Sequence, residues 1–512
     1  MVNFSAQAHL PPDANEVTLA EVNFELLTLK GPQDPNVNKY ARAEGVIYPH
    51  IIVPYDVRQP ARAVPIQRPL GLKNAPVTVK PWWENSIEKI PLWKIKDLIQ
   101  YGLNMVEEFI EPFKTSFMET TATLPSDQKS HSPVKCYSWH PYKQMFAIAH
   151  RMDVVYVYDM NSEAWFPQGL THEFQKNITC LEWKPNAGAT LAVATSNGVC
   201  LWRLSLDSNE GVTRDPLTST TVPSISYTRE SEGARPAWMN FLKYPGHTQI
   251  SSLSWDPSGQ YLATGSAADG SVLVWDVALE SAVPLRRIGG GVVAMAWSPN
   301  GAYLCVAHVN KVIRIWETKT WESRTLANLK GSPKSICWSP DSRNLLFSIQ
   351  GEAVIRIIHL VKPAPYLDFQ TSAPQDLTEF SAQTATGNVV TVGGPIRQLV
   401  LDRTGERLIV SFDGDADGSE LLAIFLVRPT SWLGDTNPLM PSGFIRGPCW
   451  GIAEAHPEVE HLPKAVTMQF ANQFSRGSLL SVCWENGKIG FIPFYFTSES
   501  KLRKSNDGLR GW

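Results

Sequence analysis

The sequence has no long apolar run, no excess of either charge and no paired cysteines, and each absence narrows what the chain can be. No stretch approaches the roughly 18 uninterrupted apolar residues of a membrane helix, so no span is expected. The opening Met1-Val2-Asn3-Phe4-Ser5 has neither the basic flank nor the apolar core of a secretion signal, which leaves the sequons at Asn3 and Asn177 without meaning. Lys and Arg number 46 against 49 Asp and Glu, a net charge of −3, and such a balance supplies no general field for nucleic acid or acidic lipid. The seven cysteines (Cys136, Cys180, Cys200, Cys305, Cys337, Cys449 and Cys483) are odd in number, scattered and never spaced Cys-x-x-Cys. They fit reduced, buried thiols of the cytosol or nucleus better than a disulfide framework.

Motifs for chemistry are missing too. There is no Gly-x-x-x-x-Gly-Lys phosphate loop, no Gly-x-Ser-x-Gly elbow and no Gly-x-Gly-x-x-Gly turn. His172-Glu173 has no second His at 176, which excludes a zinc-protease helix. Gly289-Gly290-Gly291 runs straight into Val292–Trp297 and reads as a turn leading into a strand. Asp413-Gly414-Asp415-Ala416-Asp417-Gly418 begins like a calcium loop, but the position of the bidentate Glu holds Ile424, and strands flank it where helices should. A hairpin turn is the better reading. No metal, cofactor or catalytic residue is assigned, and no enzyme is expected.

What the sequence does have is a repeat. Its clearest copy runs from Leu253-Ser254-Trp255-Asp256-Pro257-Ser258-Gly259 through Tyr261–Ser266 and Asp269-Gly270 to Val272–Asp276. Pro-Ser-Gly and Asp-Gly are turn chemistry, and the flanking β-branched and aromatic residues suit a pleated surface. The Trp255 landmark returns as Trp139, Trp183, Trp297 and Trp338, with spacings of 44, 72, 42 and 41 residues. Three of those match the roughly 40–45-residue period of a propeller blade. Weaker copies follow at Leu399–Val410, where Leu401 replaces the Trp, and at Val466–Phe494. Seven units over residues 131–496 predict an all-β, seven-bladed WD40-type propeller whose surfaces bind proteins.

Three segments read as insertions into the ring: 205–244, 362–392 and 428–463. The last unit lacks an outermost strand, and an open edge invites aggregation. Val17–Leu27, where Val22, Phe24 and Leu26 alternate with polar residues, is the expected donor; the alternative is a peptide lying elsewhere on the surface. Residues 1–130 thus form an N-terminal extension, with irregular chain over 31–81 and a short helix over about 92–111. There Leu92, Ile95, Ile99, Leu103, Val106, Ile110 and Phe113 share a stripe that packs on the ring's flank or, with Trp82, Trp83 and Trp93, on a partner or membrane surface. Residues 497–512 are a short polar tail whose Lys501, Arg503 and Lys504 read as solvated. Within the Trp255 unit, His247, Ser266, Asp269 and Trp275 are the candidates for an internal structural hydrogen-bond network, nearly unique to that blade because the other units lack the His.

Val17-Thr18-Leu19 with Asn23–Thr28, Pro245–Thr248 ahead of Trp255, Gly290–Val292 into Trp297-Ser298-Pro299, Cys337–Phe347 and Gly477–Phe496 together resemble the aladin family of WD-repeat nucleoporins. Residues 31–81 look little like the family, and the long Pro-rich tail of some members is absent. The resemblance implies a scaffold subunit of the nuclear pore complex at the nuclear envelope. Its partners would be other nucleoporins, in particular an integral pore-membrane nucleoporin, so that membrane association is indirect and no direct contact with nucleic acid is expected. It further implies support of protein import and a mitotic role in spindle assembly. The alternative is a WD-repeat receptor or adaptor of another complex, in ubiquitin ligation or RNA processing; the Trp-Asp-x-Arg feature of ligase receptors is missing after Trp275-Asp276 and Trp316-Glu317.

Overall fold

Short strands separated by tight turns make a blade only when successive hydrogen-bonding edges meet in chain order, and in the computed structural model they do. The structure describes residues 10–30, 34, 51–53, 133–204, 237–285, 290–360, 369–427, 438–447 and 463–496, apart from positions 15, 23, 167–168, 187, 373, 385, 415 and 417. Blade 1 runs outward through Val134–Trp139, Met145–His150, Val155–Asp159 and Ala164–Trp165. Blade 2 starts at Leu181–Trp183 and ends at Ala237–Leu242; blade 3 spans Ile250–Trp255 to Ser281–Leu285, and blade 4 spans Val292–Trp297 to Ser323–Leu326. Blade 5 extends from Pro333–Trp338 to Phe369–Thr371, and blade 6 from Ile396–Leu401 to Leu439–Ile445. Blade 7 consists of Ala465–Phe470, Gly477–Trp484 and Lys488–Tyr495, with Val17–Val22 added outside. Neighbouring inner strands touch all the way round, from blade 7 back to blade 1.

The second and third strands are almost continuously buried because both faces meet neighbouring blades: Met145–His150, Tyr303–His308 and Arg407–Phe412 are buried at every position. Apolar clusters therefore sit between blades, as where Ala192, Val199 and Leu242 of blade 2 pack on Leu262, Leu273 and Trp275 of blade 3. The described residues contain no helix, and the helix expected over 92–111 lies outside them, as do most of 31–81 and the tail 497–512.

Two expectations need correction. The segments read as insertions each carry the outer strand of their own blade, namely Ala237–Leu242, Phe369–Thr371 and Leu439–Ile445. The second also holds a hairpin of Phe380–Gln383 and Val389–Val392. Outer strands pack on one edge only, so they need little apolar periodicity and do not announce themselves. The closing segment is a hairpin, where a single strand over 17–27 was expected. Val17–Val22 pairs antiparallel with Glu25–Leu29, and Phe24 occupies the turn with φ of 68°. Val17–Val22 meets the last strand of blade 7 in parallel, Glu21 beside Phe494 and Val22 beside Tyr495, while Ile51–Ile52 pairs antiparallel near that strand's start.

Charge fixes this hairpin in place. Arg407, 1% exposed on the second strand of blade 6, reaches Glu21 of the hairpin, itself 1% exposed, at 2.8 Å. The guanidinium lies between the Phe24 ring at 4.8 Å and the Phe496 ring at 4.2 Å. A bulky residue with positive φ is strained, and here the strain places an aromatic lid over the ion pair. Arg446 of blade 6 adds a second clasp: it pairs with Glu420 at 2.8 Å, and its backbone exchanges hydrogen bonds with Thr18.

Removing one partner of a buried pair strands the other. Arg407→Ala is expected to cost about 3–5 kcal/mol in urea unfolding, whereas Glu21→Leu combined with Arg407→Met costs less than either single change. A loss of about 1 kcal/mol or less for Arg407→Ala would show that the pair is dispensable.

Candidate functional site

An inner strand has one edge in its own blade and the other facing the next blade, where no backbone ladder continues. Its exposed N–H groups need acceptors, and side chains of the preceding blade provide them. Ser252 Oγ accepts the Met295 N–H and Ser254 Oγ the Trp297 N–H, each at 3.0 Å. Glu182 Oε2 accepts Trp255 N–H at 3.0 Å, Ser335 Oγ accepts Leu399 N–H at 3.0 Å, and Gln398 Oε1 accepts Met468 N–H at 2.9 Å. Gln469 Oε1 closes the set by accepting Trp139 N–H at 3.2 Å. The thiols of Cys136, Cys180 and Cys337 serve the N–H groups of Leu181, Leu253 and Leu401 in the same manner.

The landmark tryptophans add a second stitch. The indole N–H groups of Trp183, Trp255, Trp297 and Trp338 donate to the carbonyls of Ser138, Glu182, Ser254 and Ala296, each being the residue before the Trp of the preceding blade. At the closure Trp139 Nε1 donates to Ser481 Oγ at 2.7 Å, and Ser481 Oγ donates to the equivalent carbonyl, that of Gln469, at 2.8 Å. Tyr137 also donates to the Ser481 carbonyl at 2.6 Å. Turns tighten the same end of the ring. Gly259 turns with φ of 73° against the Pro185 carbonyl, where a Cβ would collide, and Asn186 donates to the Pro257 carbonyl at 3.0 Å.

Burial tunes these groups away from chemistry. It pushes the Cys180 thiol up to about 12 and Cys337 to about 11, so neither is thiolate at neutral pH. It lifts the Glu182 carboxyl to about 8, with only the Trp255 N–H opposing. The six described cysteines are free thiols, and Cys449 lies outside the described residues. Among the described residues no group of three His, Cys, Asp or Glu is placed to hold a metal. In the calcium-like loop Asp413 pairs with Lys334 of blade 5, Gly414 O accepts Lys464 Nζ at 2.7 Å, and Ile424 is buried in Leu422–Val427. Asp415 and Asp417 lie outside the described residues.

In blade 3, His247, Asp269 and Trp275 belong to one relay, joined through Thr264 and Ser271, which sequence reasoning missed. Trp275 Nε1 donates to Thr264 Oγ1 at 3.0 Å, and Thr264 Oγ1 is 3.0 Å from His247 Nε2. His247 Nδ1 is 2.9 Å from Ser271 Oγ, which donates to Asp269 Oδ2 at 2.7 Å. With Ser271 giving its proton to Asp269, it accepts from His247 Nδ1–H, and Nε2 accepts from Thr264; a neutral imidazole satisfies every link. Ser266 joins the relay at its Asp269 end: it donates to the Thr248 carbonyl at 2.5 Å, accepts the Ala268 and Asp269 N–H groups, and its hydroxyl helps to hold the Asp269 carboxyl below its ordinary range. Burial lowers the pKa of His247. It opposes ionisation of Asp269 as well, but hydrogen bonds from Ser271 hold that carboxyl below its ordinary range. Nor is the arrangement confined to blade 3. In blade 2, Trp202 Nε1 donates to Gln175 Oε1 at 2.8 Å, and Gln175 Nε2 reaches the Leu170 carbonyl at 2.8 Å, so Gln does the work of the His.

Seven blades in a closed ring, five of them stitched to the preceding blade by a landmark indole, define a WD-type β-propeller, a class built to present surfaces. A family model described as the Aladin seven-bladed propeller matches residues 119–495. Aladin of Arabidopsis thaliana is 33% identical over 495 residues, which cover 95% of this chain and 98% of that protein. The chain belongs to the Aladin family, nucleoporin-type propeller proteins. It is also similar to the F-box-like/WD repeat-containing protein TBL1X of Macaca fascicularis, 25% identical over 198 residues covering 38% of this chain and 31% of that protein. Among solved structures, the β-propeller domain of Cps50 (Swd1) from Myceliophteria thermophila aligns with a TM-score of 0.47 and 14% identity, covering 70% of this chain and 96% of that one.

Two outcomes are expected. Thr264→Val leaves His247 Nε2 and Trp275 Nε1 without their shared buried partner, and is expected to lower unfolding free energy by about 1–3 kcal/mol. Equal midpoints for the two proteins in urea would contradict the relay. The second concerns pH. Burial lowers His140, His150, His247, His308 and His359 below their ordinary value. As pH falls through about 6.5 the unfolded chain takes up these protons first, so their contribution is full above that pH and is lost below it. Glu182 runs the other way: its contribution is full below its ordinary 4.5 and is lost as pH rises through about 8. Stability is therefore expected to peak near neutrality, and Glu182→Gln to remove the decline that Glu182 imposes between about 4.5 and 8, as read from urea midpoints across pH.

Proposed function

We propose that this chain is a non-enzymatic scaffold subunit of the nuclear pore complex, held at the nuclear envelope by an integral pore-membrane nucleoporin. One observation carries the proposal: the likeness to Aladin runs through the whole ring and through 98% of the Arabidopsis protein's length, so it is not confined to generic blade signatures. Two further features are consistent with it. Inner-strand polar groups are used up in holding blades together, which suits a rigid support. No helix among the described residues is long and apolar enough to cross a membrane, so on this proposal a partner supplies the span. The scaffold supports protein import and, in mitosis, spindle assembly. It needs no cofactor and no direct contact with nucleic acid.

The hairpin dictates how the proposal is tested. Deleting all of 1–130 removes Glu21 and opens blade 7, so the tagged full chain is compared with a version lacking only residues 54–130. A punctate nuclear rim is expected for the full chain. Its loss in the folded deletion assigns the tether to 54–130, and its retention assigns the tether to the ring. A diffuse signal from the full chain would overturn the pore assignment.

A further inference from the structure

Propellers carry an open edge on every blade, and natural sheets protect such edges with short strands, prolines, charges or covers. Six blades here do so. The outer strand is Ala164–Trp165 in blade 1 and Phe369–Thr371 in blade 5, both short. Blades 3 and 6 place Pro284 and Pro441 in theirs, and blade 4 uses four residues with Arg324 exposed. Blade 7 is covered by Val17–Val22 and Ile51–Ile52.

Blade 2 is different. Ala237–Leu242 pairs with Val199–Leu204 at all six positions, contains no proline and no charge, and bears Trp238 at 63% exposure. Among the described residues its backbone bonds only to that inner partner. Trp238 and Asn240 share the face turned toward blade 3, where Asn240 Nδ2 reaches Glu280 Oε1 at 3.1 Å. Arg203, directly across from Trp238, and Lys243, just past the strand's end, are both exposed, and neither has an ion-pair partner among the described residues.

We propose that Ala237–Leu242 is a docking edge that accepts an extended segment of a partner protein as a fifth strand, apolar at its centre and acidic at its flanks. The backbone of an open edge provides the hydrogen bonds of strand addition, Trp238 provides apolar contact, and Arg203 and Lys243 select the charge. A second copy of this chain is disfavoured because edge-to-edge pairing doubles the same positive charge. The docking edge is independent of the pore assignment, since strand addition needs only this blade.

The test uses the full chain and two fluorescein-labelled peptides of about twelve residues, each alternating Val and Thr, one flanked by Asp and Glu and the other by Lys. Fluorescence anisotropy should show binding of the acidic-flanked peptide only. Trp238→Lys, at an exposed position, should weaken it about tenfold or more with an unchanged melting temperature. Arg203→Glu with Lys243→Glu should transfer binding to the Lys-flanked peptide. Failure of the acidic peptide to bind, or equal binding by Trp238→Lys, overturns the proposal. So does binding that appears only after residues 207–233 are replaced by a Gly-Ser linker, which would make the chain's own segment the occupant. A concentration-dependent dimer in sedimentation that Trp238→Lys abolishes would overturn it in favour of self-pairing.

Discussion

Everything in this ring depends on how an inner strand satisfies the backbone edge that no ladder covers. In a flat sheet the next strand would accept those N–H groups; around a central axis the next blade is turned away, and side chains must bridge the gap. Ser252 and Ser254 do so for blade 4, Cys180 and Glu182 for blade 3, and Ser335 and Cys337 for blade 6. Each buried polar hydrogen bond contributes modestly, about 1 kcal/mol net, but leaving the donor unpaired costs more. Blade 4 contributes alanines at the corresponding positions, Ala294 and Ala296, so its inner strand reaches blade 5 through the indole stitch from Trp338 to the Ala296 carbonyl, with Ser342 Oγ accepting the Asn300 N–H at 3.0 Å between the turns.

Ring closure asks for a different device, because the last blade must find its outer strand at the other end of the chain. Backbone pairing alone is brief there, with two residues of Val17–Val22 in register beside Phe494 and Tyr495. The buried Glu21–Arg407 pair and the two clasping rings supply the specificity that two backbone pairs cannot. The same hairpin reaches Arg446 through Thr18, so it locks blade 6 as well as completing blade 7. A closed, stitched ring makes a rigid support.

The architecture was legible because Trp139, Trp183, Trp255, Trp297 and Trp338 mark one position per blade, and Leu401 and Phe470 continue the series by register. Trp-x-Pro survives in sequence because the indole has one job, donating to a neighbouring carbonyl. The acceptors of the inner strands were not legible: Ser, Cys, Gln and Glu are interchangeable there, and their partners lie some 40 to 70 residues away, as the Ser252–Met295 and Gln398–Met468 bonds show. In blade 3, His247, Ser266, Asp269 and Trp275 were named from the sequence, but the linking Thr264 and Ser271 were not. Ser266 shares a face with Thr264 one residue pair nearer the turn, where its hydroxyl caps Ala268 and Asp269. Outer strands such as Ala237–Leu242 were read as loop because half-exposed edges carry weak patterning.

The inner-strand account is tested most directly by native-state amide hydrogen exchange in a Ser252→Ala, Ser254→Ala double variant. Without the two hydroxyls, protection at the Met295 and Trp297 amides should fall about tenfold or more, while blade 6 amides such as Ile409 and Val410 keep theirs. Unchanged protection at Met295 and Trp297 would mean that the side-chain acceptors are incidental and that apolar packing between blades alone holds the ring.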